Sequence, residues 1–408
     1  MIRPKCRSCG TPLEATFVDL GMSPLANSLL TAEQASAMEP FYPLHARVCA
    51  KCFLVQLEEF ESPVNIFSDY LYFSSYSDAW LAHCSRYAEK MIETLRLGAQ
   101  SKVVEIASND GYLLQFFAKH GVPVLGIEPA GNVARVAIEK GIPTEVAFFG
   151  SQTASRLRNG HAADLIAANN VLAHVPDIND FVSGFKILLK TRGTITVEFP
   201  HLLHLIAEGQ FDTIYHEHYS YLSLLSVEAV FKRHGLALYD VEELPTHGGS
   251  LRLFAGHSDE GRAERPGLQA VREKERAAGL DRLATYTRFA ESVVARKSDV
   301  LAFFIEQQRA GKSVVGYGAA AKGNTLLNYC GVGPEFLRYV VDRSPHKQGR
   351  LLPGSRIPVL APSAVFETRP DYLFILPWNL REEIAAQMSG IREWGGKFVT
   401  SIPRLEIF

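Results

Sequence analysis

Tyr215-His216-Glu217-His218-Tyr219-Ser220-Tyr221 is the densest run of proton-handling side chains in the chain. Imidazole titrates near neutrality, so a histidine here can serve as a base at working pH. In an extended segment alternate side chains share a side, which sets Tyr215, Glu217 and Tyr219 on one face and His216 and His218 on the other. Three chemistries fit these residue types: metal binding by the two histidines with Glu217 nearby, structural histidines with satisfied hydrogen bonds, or proton transfer. Val197-Glu198-Phe199-Pro200-His201 precedes the run at a strand end. Thr246-His247-Gly248-Gly249-Ser250-Leu251-Arg252 follows it. Two glycines permit close backbone approach to a ligand, with His247 or Arg252 in contact; a plain hairpin turn is the alternative.

Four of the six cysteines form two pairs, Cys6-x-x-Cys9 and Cys49-x-x-Cys52. Two such turns supply four thiolates that can surround one zinc ion tetrahedrally. Sulfur then fills every position and leaves none for water, so the site is structural. Short strands would fill the 39-residue gap between the pairs. Two unrelated redox or buried pairs are the other reading. Zinc also suggests nucleic acid, but residues 1–70 carry five basic and eight acidic side chains, a balance that repels phosphates. Cys84 and Cys330 stand alone and read as small core residues.

Glu105-Ile106-Ala107-Ser108-Asn109-Asp110-Gly111 marks a strand-to-helix turn, where backbone N–H groups meet ligands at the carboxyl edge of a sheet. Glu128 ends the next strand, 23 residues after Glu105, and can accept both ribose hydroxyls of an adenine nucleoside. NAD gives similar spacing, but a pyrophosphate wants G-x-G-x-x-G. This turn has one glycine and the acidic Asp110, which suits the sulfonium and amino group of S-adenosylmethionine (SAM). Asn169 and Asn170 would form the next wall; a purely structural turn is the alternative. Near the C-terminus, Val315-Gly316-Tyr317-Gly318-Ala319-Ala320-Ala321-Lys322-Gly323-Asn324 is again a strand, a tight turn and a helix start. Its amides and Lys322 favour an anion, although a Walker P-loop is absent and fold alone would also explain the glycines. Asp342, Arg343, His346, Lys347 and Asn379 would lie on the same edge.

The elements that must position these clusters follow from periodicity. Residues 1 to about 60 read as short strands, and Asp78 to Leu97 as a helix. From Lys102 onward strands alternate with helices: 103–106, 122–127, 164–168 and 193–197 as strands, 111–119 and 181–189 as helices. That rhythm predicts a parallel sheet covered on both faces. Residues 259–310 are helical, with Leu283, Tyr286, Phe289, Val293, Val300 and Phe304 on one face. A second α/β unit has strands near 313–316, 338–342 and 372–376. Hydrophobic residues make up 47% and charged residues 21%, so large cores can be buried. The net charge of −2 speaks against a nucleic-acid partner. No apolar run reaches the roughly 18 residues of a membrane span, and Met1–Cys6 lacks a signal-peptide core. A cytoplasmic protein with reduced cysteines and no membrane partner is expected.

The order of these segments resembles one family. The Glu105–Gly111 turn is similar to the first motif of class I SAM methyltransferases, with Ala107 and Asn109 where that superfamily has glycines. The cysteine pairs, Tyr72-Phe73-Ser74-Ser75-Tyr76, Asn169-Asn170-Val171-Leu172-Ala173-His174-Val175-Pro176-Asp177 and Tyr215–Tyr221 resemble, in that order, the sugar-nucleotide C-3 methyltransferases that make branched deoxysugars. The resemblance implies an α/β fold of two Rossmann-like domains behind a small zinc-binding domain. The expected boundaries are 1–66 for zinc, 67–258 for SAM, 259–310 for a helical bridge and 311–408 for a nucleotide-sugar-binding domain. SAM would take Glu105, Ala107 to Gly111, Glu128, Pro129, Asn169 and Asn170. Zinc would take Cys6, Cys9, Cys49 and Cys52. The nucleotide diphosphate would lie on Gly318, Lys322, Asn324 and Asn379. The sugar would meet Tyr72, Ser74, Tyr76, Glu198, His201, Tyr219, His247, Gly248, Gly249 and Arg252.

The implied chemistry explains the proton-handling run. A ketone at sugar carbon 4 makes the carbon 3 proton removable, and the enolate can attack the SAM methyl. The resemblance assigns the base to His218, supported by Glu217 and Tyr215, and places His174 close to the methyl. O- or N-methyl transfer needs neither a ketone nor a nucleotide domain and is the nearest rival. An NAD-linked oxidoreductase, a zinc-containing RNA-binding module and a scaffold are more distant ones.

Overall fold

The computed structural model describes residues 4–67 and 73–408. Tyr72, expected in the sugar pocket, lies outside the described residues. The chain forms two compact units of three segments each: Met1–Leu13, Cys49–His201 and Tyr219–Asp281 in the first, Glu14–Val48, Leu202–His218 and Arg282–Phe408 in the second.

Among the described residues of the first unit, seven strands form one sheet: β1 (Val103–Ile106), β2 (Val124–Ile127), β3 (Thr144–Glu145), β4 (Ala163–Asn169), β5 (Leu189–Pro200), β6 (Leu236–Leu244) and β7 (Ser250–His257). Their order is β3-β2-β1-β4-β5-β7-β6. The first five are parallel; β7 runs antiparallel to both β5 and β6. Val-Val-Glu-Ile of β1 is buried at every position, as a central parallel strand covered on both faces must be. β1 lies between β2 and β4, so the strand order reverses there and leaves a crevice at their carboxyl ends. The helix Asp78–Leu95 buries Cys84, Tyr87, Ala88 and Met91, an i, i+3, i+4, i+7 stripe. Ser77 caps its start by accepting from the Trp80 amide.

The second unit holds a sheet of β8 (Val314–Tyr317), β9 (Val340–Val341), β10 (Val359–Leu360), β11 (Tyr372–Ile375), β12 (Lys397–Thr400) and β13 (Glu406–Ile407). The order β10-β9-β8-β11-β12-β13 is parallel except for β13. An antiparallel pair, Ala15–Ser23 with Tyr42–Val48, belongs to the same unit. Phe17 from that pair stacks on Phe289 at 4.5 Å, at the start of the Phe289–Arg309 helix. The fold is thus α/β with two Rossmann-like sheets, as the sequence predicts. No helix among the described residues is long and apolar enough to cross a membrane.

Candidate active site

In the first unit Cys6, Cys9, Cys49 and Cys52 bring their sulfur atoms within 4.8 Å of one another. Both knuckles close the same way. Gly10 N donates to Cys6 O and Phe53 N to Cys49 O, and Gly10 and Phe53 both adopt positive φ, 74° and 56°. A hydrogen bond with Cys52 lowers the pKa of the Cys6 thiol, despite burial. Four thiols with no carboxylate or imidazole fit a closed zinc site. The Arg7 guanidinium donates to Pro176 O at 2.6 Å and to Leu57 O, and the Asn179 amide donates to Arg7 O at 2.8 Å. The knuckle is therefore tied to the loop that follows His174.

The turn after β1 winds through left-handed residues: Ala107 at φ 56°, Asn109 at 49° and Gly111 at 77°. The conformation that glycine favours is kept without glycine at the first two. Glu128, at the end of β2, fixes it. One carboxylate oxygen accepts from Asn109 N at 2.9 Å, the other from Ala130 N at 2.8 Å, and burial pushes its pKa up. Pro129 follows, half-buried. A methyl group on Gly126 would meet Ser108 Oγ at 2.3 Å, so only glycine fits behind the turn. Asn109 Oδ1 accepts from Ser74 N, and Asp110 is held by Ser75 and by Lys140 at 3.1 Å. Burial drives the Glu105 carboxyl well above its ordinary range. Ser108 Oγ, Asp110 Oδ1, Asn169 Oδ1 and Asn170 Oδ1 are buried with no hydrogen-bond partner among the described residues. Buried polar atoms are normally satisfied. A row of four along the carboxyl ends of β1 and β4 fits a polar ligand such as SAM.

Beside that row, Glu198 of β5 is 0% exposed. Its oxygens accept from Thr246 at 2.9 Å, from His83 at 3.1 Å and from Arg252. Burial opposes ionisation, yet His83 and Arg252 outweigh it and hold the carboxyl at about 2. His247, at φ 55°, faces the Asn170 amide at 3.2 Å, and Trp80 stands 5.0 Å from His83 and 5.4 Å from His247. Gly248 and Gly249 also take positive φ in the turn that joins β6 to β7, so this segment is a hairpin whose tip carries His247. Glu198, His201 and Tyr219, expected to touch substrate, all bond inside the unit: His201 to Glu275 at 2.7 Å and Tyr219 to Glu61 O at 3.2 Å. Tyr76 is 62% exposed and stacks on Phe73.

In the second unit Tyr215–His218 is a turn, not an extended run, because His218 N donates to Tyr215 O at 2.9 Å. The expected alternation of faces is thereby corrected. Tyr215 and His218 meet, with ring centres 4.1 Å apart. His216 turns away to Pro43 O at 3.2 Å and Tyr42, and burial lowers its pKa. Among the described residues only the four cysteines group as metal ligands. His218 Nδ1 lies 2.9 Å from Thr213 O. A carbonyl only accepts, so Nδ1 carries the proton and Nε2 is the basic nitrogen. Glu217 is buried, with Asn27 Nδ2 donating to its Oε1 at 2.6 Å. Burial pushes this carboxyl up to about 7.

The turn after β8 has Gly318 at φ 93°, close against Pro377. Ala319 N donates to Asp342 at 2.8 Å and Lys347 donates to Ala319 O, which repeats the hook that Glu128 makes in the first unit. Lys322 donates to Asn379 at 2.7 Å and lies 4.6 Å above Trp378. Trp378 donates to Asp212 at 2.8 Å, and burial pushes Asp212 up to about 6. Both amide atoms of Asn324 are buried without a hydrogen-bond partner among the described residues. Sequence reasoning missed His83, Trp80 and Lys140 in the first unit and Asn27 and Asp212 in the second. Apart from the Trp80–His83 pair within one helix, each touches residues far along the chain, and no local spacing signals it.

Comparison with known proteins agrees with this architecture. Family models match the zinc-binding domain at residues 6–67, a methyltransferase domain at 80–241 and a C-methyltransferase C-terminal domain at 245–403. The chain is 35% identical to C-methyltransferase NovU of Streptomyces niveus over 406 residues, 99% of this chain and 97% of that one. Among solved structures it is similar to magnesium protoporphyrin IX methyltransferase of Synechocystis PCC 6803, with 14% identity, 43% and 82% coverage and a TM-score of 0.35. It is also similar to the YcgJ protein of Bacillus subtilis, with 19% identity, 40% and 72% coverage and a TM-score of 0.32. Fold and site together define a zinc-containing, SAM-dependent methyltransferase. The chain belongs to the C-methyltransferase family that carries an N-terminal zinc-binding domain.

Proposed function

We propose that the methyl acceptor is carbon 3 of a nucleotide-diphosphate-linked 4-keto (deoxy)sugar, and that His218 removes its proton. The observation that carries this reading is the Nδ1 bond of His218 to Thr213 O, which leaves Nε2 as the basic nitrogen of the ring. A neutral imidazole of fixed tautomer suits abstraction of a proton made acidic by an adjacent ketone. Tyr215, beside His218, and Glu217, whose proton is retained to about pH 7, supply donors for the developing enolate oxygen. SAM, when bound, supplies an electrophilic methyl group. On the protein's side Glu105, Ala107–Gly111, Glu128, Pro129, Asn169 and Asn170 would hold the cofactor, and His174 would stand near the methyl.

For the acceptor, Gly318, Lys322, Asn324 and Asn379 would hold the nucleotide diphosphate. The Asn324 amide, without a hydrogen-bond partner among the described residues, supports this. Ser74, Tyr76, His247, Gly248 and Gly249 would line the sugar, while Glu198, His201, Tyr219 and Arg252 would position that lining. Deprotonation can be tested apart from methyl transfer. Wild-type enzyme with S-adenosylhomocysteine in deuterated water should place deuterium at carbon 3 of a 4-keto sugar nucleotide. His218→Asn should lose that exchange by on the order of 10²-fold or more, with cofactor binding kept. Exchange at the wild-type rate in His218→Asn would move the base elsewhere, and no exchange in any TDP-, CDP- or GDP-linked 4-keto sugar would remove the substrate class.

A further inference from the structure

Asn27 lies in a bend that follows the strand Ala15–Ser23, within the stretch matched by the zinc-binding family model but inside the second compact unit. Its side-chain amide donates to Glu217 Oε1 at 2.6 Å across 190 residues of sequence. The bend is not a loose loop. Leu30 and Leu351 exchange two backbone hydrogen bonds of 2.9 Å. The Glu39 carboxylate accepts from Gly354 N at 3.0 and 3.1 Å, and Arg356 donates to Ala35 O at 2.8 Å. A segment read as part of the zinc lobe is thus fastened to the C-terminal part of the chain at Leu30, Ala35 and Glu39, just after Asn27.

We propose that Asn27 is the positioning residue of Glu217: it makes Oε1 the accepting oxygen, leaves the proton on Oε2 and so fixes the direction in which Glu217 donates. An amide N–H can only donate, so Oε1 must present a lone pair to it. That bond makes Oε1 the less favourable of the two oxygens to carry the proton. Lys347, a cation from the segment after β9, also acts on Glu217, and His216 and His218 flank it on its own turn. Lys347 is itself held by Ala319 O and Asp342, whereas Asn27 contributes a direct, neutral donor at 2.6 Å. The inference rests on the reading of Glu217 as a proton-carrying group in the carbon 3 chemistry.

The test follows the carboxyl itself in full-length protein. Its protonated C=O stretch is titrated by difference infrared spectroscopy, and the band is identified by its loss in Glu217→Gln. Losing a hydrogen bond to the ionised form raises a carboxyl pKa. Asn27→Leu, which keeps the shape, and Asn27→Ala should each move the midpoint upward by about one pH unit. The alkaline limb of methyl transfer should move by the same amount while the maximal rate falls and the Michaelis constant for SAM stays put. Matched displacement of both is what a merely structural role would not produce. An unmoved infrared midpoint in both variants overturns the inference. If 4-keto sugar nucleotides prove not to be substrates, the proposed function fails, yet the infrared midpoints still decide the role of Asn27.

Discussion

Glu217 is a carboxyl that folding holds protonated to about pH 7, against an ordinary value of about 4.3. Between those two values the native state keeps a proton that the unfolded chain releases. Stability therefore falls as pH rises through that window and stays lower above it. A displacement of that size corresponds to roughly 4 kcal/mol. Asp212, raised to about 6, acts in the same direction. Glu217→Gln should therefore be more stable than wild type at pH 8 and close to it near pH 4.5, read from urea midpoints at the two pH values. Equal differences at both would show that the carboxyl is not held neutral. The residue types of this turn are plain in the sequence, but their arrangement is not. An extended reading pairs Tyr215 with Glu217 and Tyr219. One backbone bond from His218 to Tyr215 instead sets Tyr215 against His218 and frees His216 for a structural role. Nothing local points from Glu217 to Asn27.

At the scale of elements, strands are read more easily than turns. β1 matches its predicted span, and β2, β4, β8 and β11 begin and end within two residues of theirs, because buried parallel strands are continuous apolar runs bounded by turn residues. The antiparallel β6–β7 hairpin emerges only as one of two readings of its glycines. The turn after β1 shows why motif matching alone falls short. Ala107 and Asn109 stand where related turns have glycine, yet both adopt the left-handed conformation. For alanine that conformation costs about 1–2 kcal/mol; asparagine tolerates it better. Ala107→Gly should thus raise stability by several tenths of a kcal/mol or more, net of glycine's greater unfolded-chain entropy. The measurement is the urea midpoint of the apo protein. A lower midpoint would mean that the alanine methyl packs against something worth more than the relief of strain.

At the scale of the whole molecule, the zinc knuckle and the two α/β units make one chain out of parts that the sequence shows in order but not in grouping. Metal analysis of protein purified without chelator should find one zinc per chain. Metal binding at such a site is also folding energy, so a strong chelator should lower the urea midpoint and the affinity for S-adenosylhomocysteine together. The link runs through Arg7, which ties the knuckle to Pro176. Arg7→Met should weaken cofactor binding with zinc still bound, and unchanged calorimetric affinity would break that link. The interleaving of segments has a consequence for how the protein is made. The first unit has all its residues once Asp281 has been synthesised. The strand pair Ala15–Ser23 and Tyr42–Val48, by contrast, must wait more than half the length of the chain for Phe289 to cover Phe17. While the ribosome works through that interval, an apolar hairpin stands without its mate, the condition in which nascent chains aggregate or recruit chaperones. A truncated message that ends near residue 281 should therefore yield a protein that is insoluble for the sake of its first fifty residues rather than its last.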